Sequence, residues 1–441
     1  MSLSTPERVW KLQRTLNAKA KESPTYRFYV LYDKMYREDV LMYAYQSCKA
    51  NGGATGVDGQ TFEAIESYGR KRWLSELVGA LRNKSYRADP IRRVYIPKPD
   101  GKQRPLGIPT IKDRVVQTAA VLVLEPIFEA DLQPEQYAYR PNRSAQDAIR
   151  AVHALVNMGH TQVIEADLSG YFDSIPHAEL MKSVTRRISD RYMLNLIKMW
   201  LTAPVEETDK RGRKQRTTPN KDQGCGIPQG APISPLMANL YMRRFILGWK
   251  MLGHQQRLDA HIVNYADDYV ICCRGTAQEA MVAMRPMMEK LKLTINETKT
   301  GVCAIPEDRF DFLGYTIGRC YSPKTGKAYI GTYPSKEAIR RICQATSEAT
   351  RRRWLLKDPQ ERITQLNRKL VGWANYFCLG PVSKAYRSVD AHARKRLRQW
   401  LCNKHKTPGK GTSRFPDEVL YDTLGLVRLE VRTHNLPWAK A

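Results

Sequence analysis

Two adjacent aspartates stand in the middle of a strongly β-forming stretch. Asp267 and Asp268 lie between the segments VNY and YVICC, within residues 263–273. Aspartate is disfavoured in strands, and consecutive side chains of one strand point to opposite faces of the sheet. Both carboxylates can reach a common point only if the chain turns sharply between them. The sequence therefore predicts a β-hairpin with the two acids at its turn.

A third acid ends another apolar strand. Asp167 follows VIEA, in a segment at 163–175 that we interpret as a buried strand running into a turn. A bare pair of aspartates is more often a simple polar turn, but a buried, unpaired aspartate is unfavourable unless it holds a metal. Magnesium prefers oxygen ligands and shares its shell with substrate phosphates. Three aspartates on two neighbouring strands could hold two Mg²⁺ ions about 3.5–4 Å apart, which is an arrangement for phosphoryl transfer.

The charge of the chain points to a polyanionic partner. Lys and Arg number 72 against 44 Asp and Glu, for a net charge of +28, and residues 331–414 hold 20 of the former and 5 of the latter. Nucleic acid is the first candidate and an anionic membrane surface the second. No apolar run is long enough to cross a membrane, and the N-terminus has no signal-peptide core. We expect a bacterial cytoplasmic, nucleoid-associated protein without membrane attachment.

Cysteine and histidine usage indicates neither disulfides nor a zinc cluster. The 9 cysteines are odd in number and contain no CxxC pair. The 8 histidines show no metal-ligand spacing, and none is assigned a role. The cysteines should be reduced.

Turn signals and hydrophobic spacing predict the main elements. We expect a helical start over 1–50, a hairpin at 91–109, helices at 111–130, 234–250 and 277–292, an exposed basic insertion at 210–222, strands near 300–333, and helices from 335 onward. Ser234 and Pro235 are predicted as N-cap and first residue of the helix at 234–250.

Five motifs in order carry a family resemblance. ADLSGYFDSI, GIPQGAPISPLMANLYM, YADD, KLTINETKT and FLGY together resemble the palm of a reverse transcriptase. RRVYIPKPDGKQRPLGIPTIKDRVVQ and YAYRPNRSAQDAI are similar to the fingers of group II intron-encoded proteins, and ITQLNRKLVGWANYF is similar to their thumb, the maturase domain X. The resemblance implies an α+β right-hand polymerase with an antiparallel palm sheet, followed by an all-α thumb. The expected domains are an N-terminal extension (1–60), fingers (61–166), palm (167–325), thumb (326–403) and a basic C-terminal tail (404–441).

The resemblance also implies site residues. Asp167, Asp267 and Asp268 match the catalytic carboxylates, with the Leu168 carbonyl as a further metal ligand. The expected nucleotide contacts are Lys98, Arg104, Phe172 and Gln229. Phe172 would exclude a ribose 2′-OH by clash, with Tyr171 as its rival; plain core or turn roles remain alternatives for Phe172 and Gln229.

The thumb divides into core positions and candidate RNA contacts. Ile363, Leu366, Leu370, Trp373 and Phe377 fall at helical spacing and are predicted as core. A basic run is often only a solvated face, but the total charge favours RNA contacts for a set comprising Arg387, Arg394, Lys395, Arg396 and Arg398.

The resulting hypothesis is an RNA-directed DNA polymerase that also assists group II intron splicing and retromobility by target-primed reverse transcription. The implied cofactor is Mg²⁺, with Mn²⁺ as a substitute. The expected partners are intron RNA, an RNA template with a DNA primer, target DNA and dNTPs. The resemblance is also compatible with a homodimer. Alternatives are a reverse transcriptase domesticated for DNA repair or phage defence, and a splicing-only RNA-binding maturase. Because residues 403–441 contain no cysteine, we expect no HNH-type endonuclease there.

Overall fold

The computed structural model describes residues 3–97, 101, 103–209 and 211–435. Its helices are α1 Glu7–Glu22, α2 Tyr32–Met35, α3 Glu38–Asn51, α4 Phe62–Tyr68, α5 Arg70–Arg82, α6 Ile111–Glu129, α7 Ala145–Asn157, α8 Tyr171–Ser174, α9 His177–Thr185, α10 Arg191–Leu201, α11 Pro219–Gln223, α12 Ser234–Met251, α13 His254–Arg257, α14 Ala277–Lys290, α15 Lys336–Ala349, α16 Pro359–Tyr376 and α17 Ser383–Lys404. Its strands are β1 Ile91–Pro97, β2 Gln103–Ile108, β3 Gln162–Asp167, β4 Val205–Thr208, β5 Lys214–Thr217, β6 Ala260–Tyr265, β7 Asp268–Cys273, β8 Gly301–Ala304, β9 Arg309–Phe312, β10 Tyr315–Tyr321 and β11 Ala328–Pro334.

Helix α6 lies at the centre of the N-terminal half. It is buried on most of its sides and contacts α1, α2, α3 and α12. Pro126 lies inside it and has no N–H to give to the Leu122 carbonyl one turn earlier. The Gln13 side chain of α1 donates to that carbonyl instead, at 3.1 Å. The N-terminal helices are thus fixed to the body of the molecule by polar as well as apolar contacts.

The predicted hairpin at 91–109 is confirmed, and it belongs to a larger sheet. The strand order is β2-β1-β4-β5, in which β1 runs parallel to β4. The segment at 210–222, predicted only as an exposed basic insertion, therefore supplies strand β5 and helix α11. Strand β5 is exposed throughout, as expected for its polar sequence.

The palm sheet is antiparallel with the order β6-β7-β3-β8. The helix predicted at 234–250 is confirmed as α12, but the prediction of Ser234 as N-cap was wrong. The helix begins at Ser234 itself, and Ile233 holds the cap position. The Ser234 hydroxyl donates to the Pro228 carbonyl at 2.8 Å, so the preceding turn uses this side chain.

Helices α15, α16 and α17 build the thumb around their own apolar core. Ile363, Leu366 and Leu370 are at most 1% exposed in this core, and Phe377, 9% exposed, belongs to the adjoining core that contains residues of β9 and β10. These core predictions are confirmed, while Trp373 is partly buried and packs against both cores. Residues 405–435 pack onto this bundle, because Phe415, Leu420, Leu426 and Leu429 are part of its core. No helix in the described ranges is long and apolar enough to cross a membrane.

Candidate active site

The palm sheet brings the three predicted aspartates together at one end of its strands, which we call the palm edge. Tyr265 pairs with Asp268 across the β6–β7 hairpin, so Ala266 and Asp267 form a two-residue loop. Asp167, the last residue of β3, pairs directly with Asp268, the first residue of β7. The sharp turn removes the difficulty that neighbouring strand side chains point apart, because Asp267 lies in the loop and Asp268 in the strand.

The loop is held by a buried asparagine that sequence reasoning missed. Ala266 adopts a left-handed backbone with φ of +58°, which is unfavourable for a residue with a Cβ. Asn264, 1% exposed, donates its side-chain amide to the Ala266 carbonyl at 2.9 Å. Its backbone in turn bonds to Glu135 and Tyr137. An asparagine directly after β-branched residues and three positions before Asp267 was the available signal.

Asp167 is positioned by the segment KLTINETKT, for whose residues the sequence predicted no role at the site. The Asn296 side-chain amide donates to Asp167 Oδ2 at 2.8 Å, and its backbone N–H donates to the Asp167 carbonyl at 2.9 Å. The Lys299 ammonium lies 3.2 Å from the same Oδ2. Leu168 and Ile295 form an isolated antiparallel β-bridge, whose backbone hydrogen bonds come from the Ser169 N–H and the Asp167 carbonyl. The Leu168 carbonyl is therefore not used by this bridge. Both positioning residues lie about 130 residues away in sequence, and no local pattern connects them with Asp167.

The electrostatics of this edge favour a bound cation. Loss of solvent contact, followed by repulsion from Asp267 and Asp167, raises the pKa of Asp268 to about 7. Desolvation also raises the pKa of Asp267. Glu165 lies two residues before Asp167 on the same strand face; burial, with repulsion from Asp311 and Asp268, raises its pKa to about 7. Asp268 keeps one side open to water, which screens part of this repulsion. Carboxylates in such proximity fit hard divalent cations.

The finger hairpin and the palm meet at Gln229. The Arg104 guanidinium donates to the Gln229 side-chain carbonyl at 3.0 Å, and the Gln229 amide donates to Asp173 at 3.2 Å. The Gly107 N–H donates to the Gln229 backbone carbonyl at 2.7 Å. Arg104 is close enough to Asp267 to counteract the rise of its pKa. Arg104 and Gln229 are therefore brought together beside the aspartates, whereas Lys98 lies outside the described residues.

The two candidate aromatic rings have different surroundings. Tyr171 is 2% exposed, and its hydroxyl donates to the Ala238 carbonyl of α12 at 2.7 Å. Phe172 is 7% exposed, and its ring has no hydroxyl that could anchor it in this way. Both rings are part of the main core, and Phe172 is the one nearer the surface.

The five predicted RNA contacts on α17 are not equivalent. Arg394 and Arg398 both bind the Asp417 carboxylate, at 2.6 and 2.5 Å. Arg396 donates to Thr350 at 3.2 Å and to Gln399 at 2.8 Å. Arg387 lies 3.7 Å from Glu430 and is 62% exposed. Lys395 forms no ion pair within the described part of the chain. Arg394, Arg396 and Arg398 thus make contacts within the thumb. Arg387 and Lys395 are more exposed to solvent and make fewer contacts with the rest of the protein.

Comparisons with known proteins agree with this geometry. The profile of the family described as "Reverse transcriptase (RNA-dependent DNA polymerase)" matches residues 96–317. The profile described as "Group II intron, maturase-specific domain" matches residues 339–415. The first covers half of the chain, from the finger hairpin through the palm, and the second covers most of the thumb.

Several individual proteins are similar to this chain. "Protein YkfC" of Escherichia coli (strain K12) is 33% identical over 367 residues, which are 75% of this chain and 93% of that protein. "Group II intron-encoded protein LtrA" of Lactococcus lactis subsp. cremoris is 31% identical over 225 residues, 50% of this chain and 36% of that protein. "Putative COX1/OXI3 intron 1 protein" of Saccharomyces cerevisiae is 28% identical over 333 residues, 64% of this chain and 39% of that protein. The chain thus spans under half the length of the two intron-encoded relatives.

The chain belongs to the reverse transcriptase family. Within that family, it carries a group II intron maturase-specific domain after the palm, as the resemblance of its thumb motif predicted. The α+β right-hand fold with a helical thumb is confirmed. Reverse transcriptase domains generally use divalent metal ions, and the carboxylates at the palm edge fit that requirement.

Proposed function

We propose that this protein copies RNA into DNA, using Mg²⁺ at Asp167, Asp267 and Asp268, and that its thumb binds group II intron RNA to assist splicing and retromobility. The observation that carries the proposal is the pairing of Asp167 with Asp268 beside the Asp267 loop. A maturase that only binds RNA would have no need of three carboxylates that repel one another at this end of the sheet. The substrates would be dNTPs and an RNA template with a DNA primer, target DNA being the primer source in retromobility.

The residues divide the work by their chemistry. Asp167, Asp267, Asp268 and the Leu168 carbonyl would hold Mg²⁺, with Mn²⁺ as a substitute. When bound, such ions activate a 3′-hydroxyl and offset negative charge on the phosphates. Asn296 and Lys299 orient the Asp167 carboxylate, so that its oxygens keep a fixed position.

The finger residues would bind the incoming nucleotide. Arg104 would bind its triphosphate, since a guanidinium offsets the charge that accumulates on departing pyrophosphate. Gln229 holds Arg104 in place. Lys98 is proposed for the same phosphates from its motif. Phe172, rather than Tyr171, is proposed to exclude ribonucleotides, because the Tyr171 ring is anchored to α12 by its hydroxyl.

The decisive experiment is Asp267→Asn in primer extension on an RNA template. The change removes the charge and keeps the shape, so extension should fall at least 100-fold while the thermal midpoint is kept or raised, because the repulsion is relieved. Asp39→Asn is the matched control, since Asp39 of α3 forms an ion pair with Arg37, the residue before that helix, and lies away from the palm. Wild-type-like extension by Asp267→Asn would contradict the proposed metal site.

The RNA-binding part of the proposal has its own test. RNA that copurifies with the protein should be sequenced, and a group II intron RNA should be enriched. Splicing of that RNA should depend on the protein, and it should persist in Asp267→Asn. Enrichment of unrelated RNA alone would contradict the maturase role without affecting the polymerase.

A further inference from the structure

A second group of polar side chains lies at the opposite end of the palm sheet. His160 comes just before β3, and Asp259 and His261 flank the start of β6. The catalytic aspartates stand at the other ends of these strands. Six strand residues at a rise of about 3.3 Å place the two groups roughly 20 Å apart. This group is therefore separate from the polymerase site.

The three side chains converge on one point. Asp259 Oδ1 lies 3.1 Å from His160 Nε2 and 3.3 Å from His261 Nε2. One ligand atom from each of the three residues lies within 4.8 Å of the other two. A tetrahedral ion with bonds of about 2.0–2.1 Å to nitrogen and oxygen needs ligand atoms about 3.3 Å apart. Small side-chain rotations would bring the three atoms onto one ion.

The hydrogen bonding of His160 leaves a lone pair facing the carboxylate. His160 is 5% exposed, and its Nδ1 lies 3.2 Å from the Leu155 carbonyl, to which it can only donate. In a neutral ring, Nε2 is then an acceptor, and it faces a second acceptor on Asp259. The contact is favourable only with a proton or a metal ion between the two atoms. An Nδ1–H bonded to a backbone carbonyl is also how metal-ligating histidines are commonly oriented.

The surroundings set the expected strength of the site. Arg274 lies 3.4 Å from the other Asp259 oxygen and also donates to the Met158 carbonyl. It holds the carboxylate with Oδ1 toward the histidines, but its positive charge opposes a cation. The side chains of Asp259 and His261 are 42% and 34% exposed. An ion could enter from solvent and keep water in a remaining position.

We propose that His160, Asp259 and His261 bind one divalent transition-metal ion, with Zn²⁺ the best match to two imidazoles and a carboxylate. Bound there, the ion links the loop before β3 to the start of β6. Its role is to fix the end of the palm sheet that lies away from the catalytic edge. The site takes no part in polymerisation and does not depend on the proposed use of Mg²⁺.

The test is a calorimetric Zn²⁺ titration of the reduced, metal-stripped full chain with Mg²⁺ in large excess. Wild type should bind one Zn²⁺ that is lost, or at least tenfold weaker, in His160→Gln and in the more exposed His261→Gln. His153→Gln is the matched control; this half-buried histidine of α7 lies 2.9 Å from the Thr332 hydroxyl, outside the cluster. It should bind Zn²⁺ as the wild type does.

Arg274→Gln distinguishes a metal site from a hydrogen-bonded cluster. Removal of the opposing charge should tighten Zn²⁺ binding several-fold, and Zn²⁺ should raise the thermal midpoint of wild type but not of Asp259→Asn. No Zn²⁺ bound, or equal binding by wild type and both histidine variants, would overturn the proposal.

Discussion

Gly230→Ala should separate the turn formed by Pro228, Gln229 and Gly230 from the finger hairpin. Gly230 has a φ of +109°, a conformation that side-chain-bearing residues rarely adopt. A Cβ added there would lie 2.7 Å from the Gly107 carbonyl oxygen of β2 and 3.0 Å from a Leu106 methyl group. The oxygen belongs to a paired strand and cannot move alone. The turn itself must shift, and Gln229 shifts with it.

The magnitude follows from the contacts that are lost. The backbone conformation costs an alanine about 1–3 kcal/mol. The shift also strains the 2.7 Å bond from the Gly107 N–H to the Gln229 carbonyl, whose loss costs about 0.5–1.5 kcal/mol. We expect a total of about 1.5–4.5 kcal/mol from these two terms. If the turn moves rather than unfolds, much of this free energy appears as lost activity, up to about 100-fold in kcat/KM for dNTP.

The assay compares two glycines. Gly224 also has a positive φ, +63°, but an added Cβ would meet no atom of the described residues within 4 Å. Gly224→Ala therefore carries backbone strain without the clash. Steady-state dNTP incorporation and thermal unfolding should both be worse for Gly230→Ala than for Gly224→Ala. Equal values for the two variants would refute the argument that the Gly107 contact fixes the position of Gln229.

Three further predictions test other parts of the molecule. Phe172→Val should increase rNTP incorporation relative to dNTP. Tyr171→Phe should keep this selectivity and lose about 1 kcal/mol of stability, because the Ala238 carbonyl loses its hydrogen-bond donor. The reverse pattern in competitive incorporation would show that Tyr171, not Phe172, excludes the ribose 2′-OH. Arg387→Glu combined with Lys395→Glu should weaken RNA binding and reduce its salt dependence without changing the thermal midpoint. An unaltered salt dependence in filter binding would show that this face of α17 is an ordinary solvated surface. A pKa of Asp268 raised to about 7 favours its neutral form below that pH. The Mg²⁺ concentration for half-maximal activity should therefore rise as pH falls from 8 to 6, by less than about tenfold per unit because a single group that titrates within this range releases at most one proton. A half-maximal concentration that is constant over this range would contradict the proton competition.

The structure also changes how the thumb should be probed. Reversing the charge of Arg394 or Arg398 would break their shared contact with Asp417 and disturb folding as well as RNA binding. Arg398 is the more sensitive of the two, since its side chain is only 14% exposed. Loss of binding in such variants would therefore not identify an RNA contact. Arg387 and Lys395 are the better probes.

Local patterns in the sequence determined the hairpins, the main helices and the family. Alternating β-formers around Asp267 and Asp268 specify two strands and a turn, because strand pairing across a short loop depends on neighbouring residues alone. The spacing of Ile363, Leu366 and Leu370 likewise specifies which face of α16 is buried, because a helix repeats every 3.6 residues. These features follow from residues less than about ten positions apart.

Contacts between distant segments were decided by the tertiary structure alone. Asn296 and Lys299 reach Asp167 only because the chain bridges Leu168 with Ile295. His160 and His261 have no ligand spacing in sequence, and they meet because β3 and β6 are both antiparallel to β7 and begin at the same end of the sheet. The contacts that join these segments span about 100 residues of chain or more, and many pairings of that separation are compatible with the same local patterns. Only the packing of the whole chain selects one of them, since the free energy that decides between them comes from burying a shared core rather than from any single segment.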